Sequence, residues 1–450
     1  MTVSLRTDEE ARADLPPPGP LIRRAHRHPR LMHHNRLIAA VLALNLVVAW
    51  YGVGTGWWSG SAVELATIAA VAQANFALAV LPRQPHVVNL AGWLATRPRS
   101  SRSMRLRWAV GKYYHLGGVH VGAALAGTAW YLAFVVSSIV ELARGAPTVS
   151  GLTVALALAV VVVFVVMCLM ALPRARARDH DRFEAAHRLG AWTALALVWA
   201  GTVASTRLRH PDIPLGAALI GTPTVWLLVL TTALAIWPWL LLRRVPISVH
   251  RPSLHAAIVR IDHDIRYRVG TTRAISRRPI VGWHQFGVVP PVAGDRGYRM
   301  VVSRAGDWTG EFIDDTPTHV WVRGVPAVGV ANVRRLFSKV VFVVTGSGIG
   351  PGLGHLLAAE GPMKLVWVTR EPRRTYGDGL VDEVLASQPD ALIWNTDERG
   401  KPDVLALTHA VYVSTGAEAV ICIANRAVTW QVVHGLESRG IPAFGPIWDS

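Results

Sequence analysis

The chain has 450 residues, of which 51% are apolar and 17% charged, with a mean hydropathy of +0.32, a composition that excludes an ordinary soluble enzyme. Its 46 Lys and Arg against 29 Asp and Glu give a formal charge of +17, but the arginines stand in short loops between apolar runs. That distribution excludes nucleic acid as the partner and is the one expected of the cytoplasmic loops of a protein that lives in a lipid bilayer. Two cysteines, Cys168 and Cys422, exclude a disulfide scaffold and a four-cysteine iron–sulfur site, so a redox metal would need histidine.

The first 34 residues read as a disordered basic cytoplasmic tail, with Leu15-Pro16-Pro17-Pro18 followed by Arg23, Arg24, Arg27 and Arg30, and no small-residue cleavage site follows them. Residues 35–242 read as a six-helix transmembrane bundle. A helix needs roughly 20 apolar residues to cross about 30 Å of hydrocarbon. The runs Arg36–Val53, Ala62–Leu81, Tyr113–Leu142, Leu152–Leu172, Phe183–Ser205 and Leu215–Leu242 meet that need. Arg97, Arg99, Arg102, Arg105, Arg107 and Lys112 precede the third run, and Arg174, Arg176, Arg178 and Arg182 precede the fifth. Those loops are expected inside the cell, and with them both termini of a multi-pass plasma-membrane protein.

Ionisable residues within spans are costly and are functional candidates by default, and here they are His115 and His120 in the third helix and His187 in the fifth. His115 and His120 differ by about 140° around a helix, so the two cannot serve one ring from one face. Two readings stay open: interfacial histidines bonded to backbone or headgroups, or one haem b ligated by His120 and His187, with His115 as substitute.

After residue 242 the composition turns to short β-branched runs. Residues 243–338 read as a small antiparallel barrel with strands near Ala256–Ile261, Ile265–Val269, Gly282–Val288, Tyr298–Ser303 and His319–Val325. Residues 339–450 read as an α/β nucleotide-binding domain. A buried strand from Val340 runs into the turn Thr345-Gly346-Ser347-Gly348-Ile349-Gly350-Pro351 and then a helix, a pattern that cradles a pyrophosphate, or else a tight strand–helix connection. A second strand, Met363–Thr369, ends in Arg370 with Arg373 and Arg374 following, where basic residues suit the 2′-phosphate of NADPH better than NADH.

Gly282-Trp283-His284-Gln285-Phe286, Val302-Ser303-Arg304-Ala305-Gly306-Asp307-Trp308-Thr309, the glycine-rich turn, Trp367-Val368-Thr369-Arg370 and Gly400-Lys401-Pro402-Asp403 follow one another in a familiar order and spacing. In these residues the chain resembles the flavin and nicotinamide modules of membrane ferric reductases and NADPH oxidases, of ferredoxin-NADP reductase type. The ending Ala443-Phe444-Gly445-Pro446-Ile447-Trp448-Asp449-Ser450 is similar to that of fungal integral-membrane flavoproteins implicated in developmental signalling.

The resemblance implies FAD on His284, Phe286, Ser303, Arg304, Gly306, Trp308 and Thr309. It implies NAD(P)H on the turn 345–351 with Thr369, Arg370 and Lys401, and hydride transfer beside Cys422 and Trp448. Gln285 and Gly287 replace the family's Pro and hydroxyl residue, and Cys422-Ile423-Ala424-Asn425 replaces its Cys-Gly-Pro. The family's second histidine level is missing, since Phe134 and Gly201 stand fourteen residues beyond His120 and His187. The expected function is therefore an NAD(P)H:acceptor oxidoreductase that sends electrons through FAD to an inner-leaflet haem or an unknown membrane acceptor. The other reading is a membrane sensor or partner-binding protein that keeps the flavin reductase fold.

Overall fold

The computed structural model describes residues 15–26, 28–97, 102–262, 268–280, 282–292 and 295–446, in two compact units. One unit consists of His33–Gln84 with Leu116–Leu240, and the other of Met1–Met32, Pro85–His115 and Leu241–Ser450.

The first unit is helical, and among the described residues there are six helices long and apolar enough to cross a membrane. Their cores run over His33–Gly54, Leu65–Val80, Gly117–Ala143, Gly151–Ala171, His180–Arg209 and Pro223–Leu240. Outward faces carry Leu46, Trp50, Leu132, Val162, Leu169 and Trp226 exposed. Inside, Ile68, Ala72, Trp130, Tyr131, Val135, Ala157 and Val160 form the core. Small residues let backbones approach: a Cβ on Gly118 would strike the carbonyl oxygen of His34, and one on Gly122 would crowd Ile38 and Val41.

Several boundaries shift by a few residues from the periodicity, and two of the shifts matter. The first helix begins at His33 rather than Arg36, and the last predicted run breaks at Gly221 and Pro223 into Leu215–Ile220 and Pro223–Leu240, because proline opens a helix readily and cannot continue one.

The second unit holds two sheets. The strands are β1 (Leu242–His250), β2 (Ala256–Ile261), β3 (Thr271–Ser276), β4 (His284–Gly287), β5 (Tyr298–Ser303), β6 (His319–Arg323) and β7 (Ala327–Val328). They form an antiparallel sheet in the order β4-β3-β6-β1-β2-β5, with β7 on β3. Val289, just past β4, bridges to Arg299 of β5 and brings the two edges together into a nearly closed barrel. Its core of Val245, Val259, Ile275, Met300 and Val322 is sealed by Phe312 and Ile313 of the helix Asp307–Asp315. The predicted strand Ile265–Val269 falls largely outside the described residues.

β8 (Val340–Thr345), β9 (Met363–Thr369), β10 (Leu392–Asn395), β11 (Ala419–Ile423) and β12 (Ala443–Phe444) make a parallel sheet in the order β10-β9-β8-β11-β12. The order reverses between β8 and β11, and ligands bind open α/β sheets outside the carboxyl ends of the strands at such a point.

Two stretches read as loop or tail belong to this second unit. The segment Pro85–His115, read above as a topological loop, is built into it. Arg107 is buried and reaches Leu336 O at 3.0 Å and Glu418 Oε2 at 2.8 Å, while Lys112 reaches Glu437 Oε1 at 2.6 Å and Ala443 O at 2.7 Å. Residues 15–20, read above as part of a disordered tail, lie along the nucleotide domain, with Gly19 N donating to Ser438 O at 2.9 Å and Arg439 Nε to Pro16 O at 2.6 Å.

Where β3 begins, Gly270 (φ +70°) faces the fully buried ring of His355 and the carboxamide of Asn332. His355 Nδ1 and Glu360 Oε2 are 2.7 Å apart, and Arg335 holds the other oxygen at 2.8 Å. Burial lowers the His355 pKa from 6.5, against the opposing pull of Glu360; burial also pushes Glu360 up, but its bonds from His355 and Arg335 win and bring it down to about 2.

A base with a lowered native pKa holds fewer protons folded than unfolded, so stability should fall as pH drops below 6.5. A second loss should follow from 4.5 down towards 2, as Glu360 is protonated. Unfolding midpoints against pH should show both steps, and His355→Gln should remove the first; an upper step unchanged in the variant would place its origin elsewhere.

Candidate functional site

The carboxyl ends of β4 and β5 and the glycine-rich turn after β8 build one site within the second unit. His284 and Phe286 are two apart on β4, hence on one face. The His284 ring stacks on Trp308 at 4.2 Å and 30°, Phe286 lies 6.2 Å from the same indole, and Phe312 continues the stack at 5.1 Å. Gly282 (φ +68°) lets the strand entrance pass the indole, where a Cβ would come to 3.1 Å. The result is an aromatic shelf suited to a planar ring. Gln285, on the opposite face, donates to Thr272 Oγ1.

On the phosphate side, Arg304 stands half-buried just past the end of β5. Its Nε donates to Leu254 O at 3.0 Å and its Nη2 to Asp314 Oδ1 at 2.6 Å, and that hydrogen bond holds the Asp314 carboxyl below its usual pKa. Thr309 does not point outward as a ligand group. Its Oγ1 accepts from Ala305 N at 2.9 Å and Gly306 N at 3.1 Å, so it caps its own helix. Gly306 itself faces open space.

The turn is glycine by necessity. Gly346 sits at φ +51°, and a Cβ on Gly348 would collide with the carbonyl oxygen of Ile423. Trp367 Nε1 donates to Gly346 O at 3.0 Å, while Thr345 closes β8 and Ser347 lies within the turn. Ile349 is fully buried in the core, so any part it takes in the turn's contacts falls to its backbone. Gly350 packs on Val301, and Pro351 meets Gly287, where a Cβ would lie 2.5 Å from the proline Cα. Gly287, the departure from the family's hydroxyl residue, is thus required by a backbone contact between barrel and turn.

Arg370 is exposed and paired with Asp397 at 3.1 Å, Arg373 with Asp378 at 2.9 Å and Asp382 at 2.7 Å, and Arg374 with Glu371 at 3.0 Å. Thr369 is buried at the end of β9, and Lys401 is exposed in the loop after Thr396–Arg399. Sequence reasoning missed Tyr376, which is buried beside the turn with its ring 5.2 Å from that of Trp367. Burial raises its pKa. The signal was faint: an aromatic just before Gly377, in a turn opened by Pro372.

Cys422 is corrected. It pairs with Val343 across β11 and β8 and packs among Val341, Val343, Val432 and Val433, on the face opposite Ile421 and Ile423. Its side chain lies fully buried in the core rather than open at the strand end, and burial pushes its thiol up to about 12. Trp448 lies outside the described residues.

In the helical unit, His120 and His187 are neighbours, with ring centroids 6.0 Å apart at 69°. His120 Nδ1 is 2.8 Å from Ala79 O, and His187 Nδ1 is buried with no hydrogen-bond partner in the protein. His34, missed in the sequence because the first span was started too late, lies beside Gly117 and Gly118 at the same end. His115 is corrected as an alternative ligand: it falls in the short turn Tyr113–Leu116, in the second unit, and packs on Tyr114 at 4.4 Å.

Comparison with known proteins adds names to this geometry. Residues 330–450 match the family described as the C-terminal domain of adenylate-forming reductase 03009. Over 96% of its length the chain is 37% identical to adenylate-forming reductase 03009 of Coprinopsis cinerea, and over 94% it is 36% identical to adenylate-forming reductase 06235 of the same fungus. It spans 41% of the length of each, about two fifths. These relatives are fungal reductases, as the resemblance implied, but named for adenylate formation rather than as ferric reductases or NADPH oxidases. Among solved structures, a variant of ferredoxin-NADP+ reductase from Plasmodium falciparum is similar at 10% identity and a TM-score of 0.35, covering 46% of this chain and 95% of that one.

The burial of Cys422 makes a direct prediction. Native protein at pH 8 should leave this thiol unmodified by an aromatic disulfide reagent and release it on unfolding; rapid labelling of Cys422 in the folded protein, mapped by mass spectrometry, would contradict the assignment.

Proposed function

We propose that the chain is a membrane-bound NAD(P)H:acceptor oxidoreductase whose second unit holds FAD on the barrel and the pyridine nucleotide on the glycine-rich turn. The observation that carries the reading is the contact of Gly287 with Pro351, which sets the His284–Trp308 shelf beside the turn.

The residues fit both groups. The shelf offers a flat aromatic face, Arg304 lies where a guanidinium fork suits a pyrophosphate, and Gly346 and Gly348 bring backbone amides to the N-terminus of the helix Ile349–Leu357. When bound, FAD would accept hydride from NAD(P)H and release electrons singly. The chain's own work is to orient the two rings and to keep water from between them. A reductase role agrees with that part of the relatives' name, and the remaining three fifths of their length lies outside the match.

The same reading places the apolar helices in the plasma membrane with both termini on the cytoplasmic side, supported by the arginine-rich loops. His120 and His187 would hold one haem b, His120 oriented by Ala79 O, and the haem would supply one-electron transfer.

Three measurements test this. Arg304→Ala should lower the flavin content of detergent-purified protein; equal flavin in both, or none in either, overturns the barrel assignment. Arg370→Ala should lower kcat/KM for NADPH, whereas a higher value with NADH that the substitution leaves alone would remove the preference for NADPH. Pyridine hemochrome should find no more than one haem per chain, lost in His187→Ala; two haems would contradict the assignment, and none would make the histidines structural and FAD the last carrier.

A further inference from the structure

Within the second unit, the helix Pro85–Ala95 has two unlike faces. One is fixed to the barrel. Asn89 Nδ2 donates to Pro326 O at 2.8 Å and Asn89 Oδ1 accepts from Val328 N at 2.9 Å, so the carboxamide pairs with the backbone at β7. Gly92 lets the helix come close, since a Cβ there would lie 2.7 Å from Val328 Cγ2, and the Tyr113 hydroxyl donates to Gly329 O at 3.0 Å.

The other face is apolar and open. His86, Leu90, Trp93 and Leu94 are exposed, and at 100° per residue they fall within about 100° of one another, a single stripe. Leu90, Trp93 and Leu94 are each more than half exposed. Arg97, just past the helix, lies over the Trp93 ring at 4.1 Å, and Arg102, Arg105 and Leu106 are exposed further on. From Pro82 to His115 the chain has no Asp or Glu, and among the described residues no carboxylate pairs with Arg97, Arg102 or Arg105. Leu81–Gln84 alone separate this helix from the apolar helix Leu65–Val80, and such a link extends no more than about 18 Å.

We infer that Pro85–Ala95 is an interfacial helix: Leu90, Trp93 and Leu94 enter the boundary between headgroups and acyl chains, and Arg97, Arg102 and Arg105 bind anionic phospholipid headgroups. Three arguments select that occupant. Tryptophan and leucine on one face beside arginines match a surface that is apolar below and negative above. Positive charge with no acidic neighbour in the segment is complementary to an anionic leaflet, where each arginine is worth about fivefold in affinity. The short link keeps the helix near the end of an apolar span. Because Asn89 and Gly92 lock the opposite face, the lipid contact tethers β7 of the barrel. The inference rests on the reading of the apolar helices as membrane spans.

The test uses full-length protein carrying Cys168→Ala and Leu94→Cys, labelled with bimane and reconstituted into vesicles that contain doxyl-labelled lipid. Cys422 is buried and takes no label; Val413→Cys, on an exposed face of the helix Val404–Thr415, is the control. Vesicles of phosphatidylcholine alone are compared with vesicles that also contain phosphatidylserine. The label at 94 should be quenched by the lipid, more strongly with phosphatidylserine, with the control at background. High salt, or Arg97→Gln with Arg102→Gln and Arg105→Gln, should remove the phosphatidylserine increment. Equal quenching at both positions, or at 94 with and without phosphatidylserine, overturns the inference. So does a label at 94 that is shielded from aqueous iodide yet untouched by doxyl lipid, since a protein then covers the face. Protein that resists alkaline carbonate while its label at 94 stays unquenched overturns the inference alone; protein that carbonate strips from the vesicles fails the membrane reading, and the inference falls with it.

Discussion

The contact of Gly287 with Pro351 is the constraint on which the second unit depends. Two backbones meet where any side chain on Gly287 would collide, so β4 is seated directly on the phosphate turn. Because β4 carries His284 and Phe286 on one face, that seating also sets the aromatic shelf. Gly348 repeats the device on the other side, letting the turn press on the end of β11. Tyr376 completes the arrangement with a buried ring packed 5.2 Å from Trp367 of β9, beside the same turn. Barrel and nucleotide sheet are thereby held in a fixed register by close packing, which is stiff in a way that long polar side chains are not.

The segment Pro85–His115 adds a second kind of constraint. Basic residues that precede a membrane helix ordinarily face water and lipid headgroups, yet Arg107 and Lys112 are buried and matched with Glu418 and Glu437. Removing one partner of such a pair leaves a charge without compensation, a loss of about 3–5 kcal/mol where burial is complete and less where, as at Glu418, water reaches the carboxylate. Lys112 also lies over the Phe444 ring at 4.7 Å, and Tyr114 accepts from Gly445 N at 3.2 Å. The connecting segment therefore grips β12, the edge strand of the nucleotide sheet.

In the helical unit, polar groups divide by level. At one end stand His34, His120 and His187, with a buried ring nitrogen open. Further along, Asn45, Asn75 and Trp130 are saturated among themselves. An unpaired polar group in a low-dielectric interior is costly, and the asparagine network avoids that cost by meeting each donor with an acceptor.

Element type was legible in the sequence wherever a period ran long: the six apolar runs, β2, β4, β5 and β6 of the barrel, β8 with its turn, and β9 stand near where hydrophobic pattern and glycine put them, whereas β1 and β3 were not among the predicted strands. Pattern works there because burial on one face or all faces imposes it residue by residue. The sequence by itself also placed His120 beside His187, since two helices that start at one face bring equal depths together. What it could not determine was which side chains were already spent. Cys422 and Ile349 sit in motif positions but point into the core, Thr309 caps its own helix, and Arg107 and Lys112 are locked on carboxylates more than three hundred residues away. Those outcomes depend on long-range pairing and on which face of a strand meets which helix, and only the tertiary structure decides them, because the partner's position is absent from any local window of the chain.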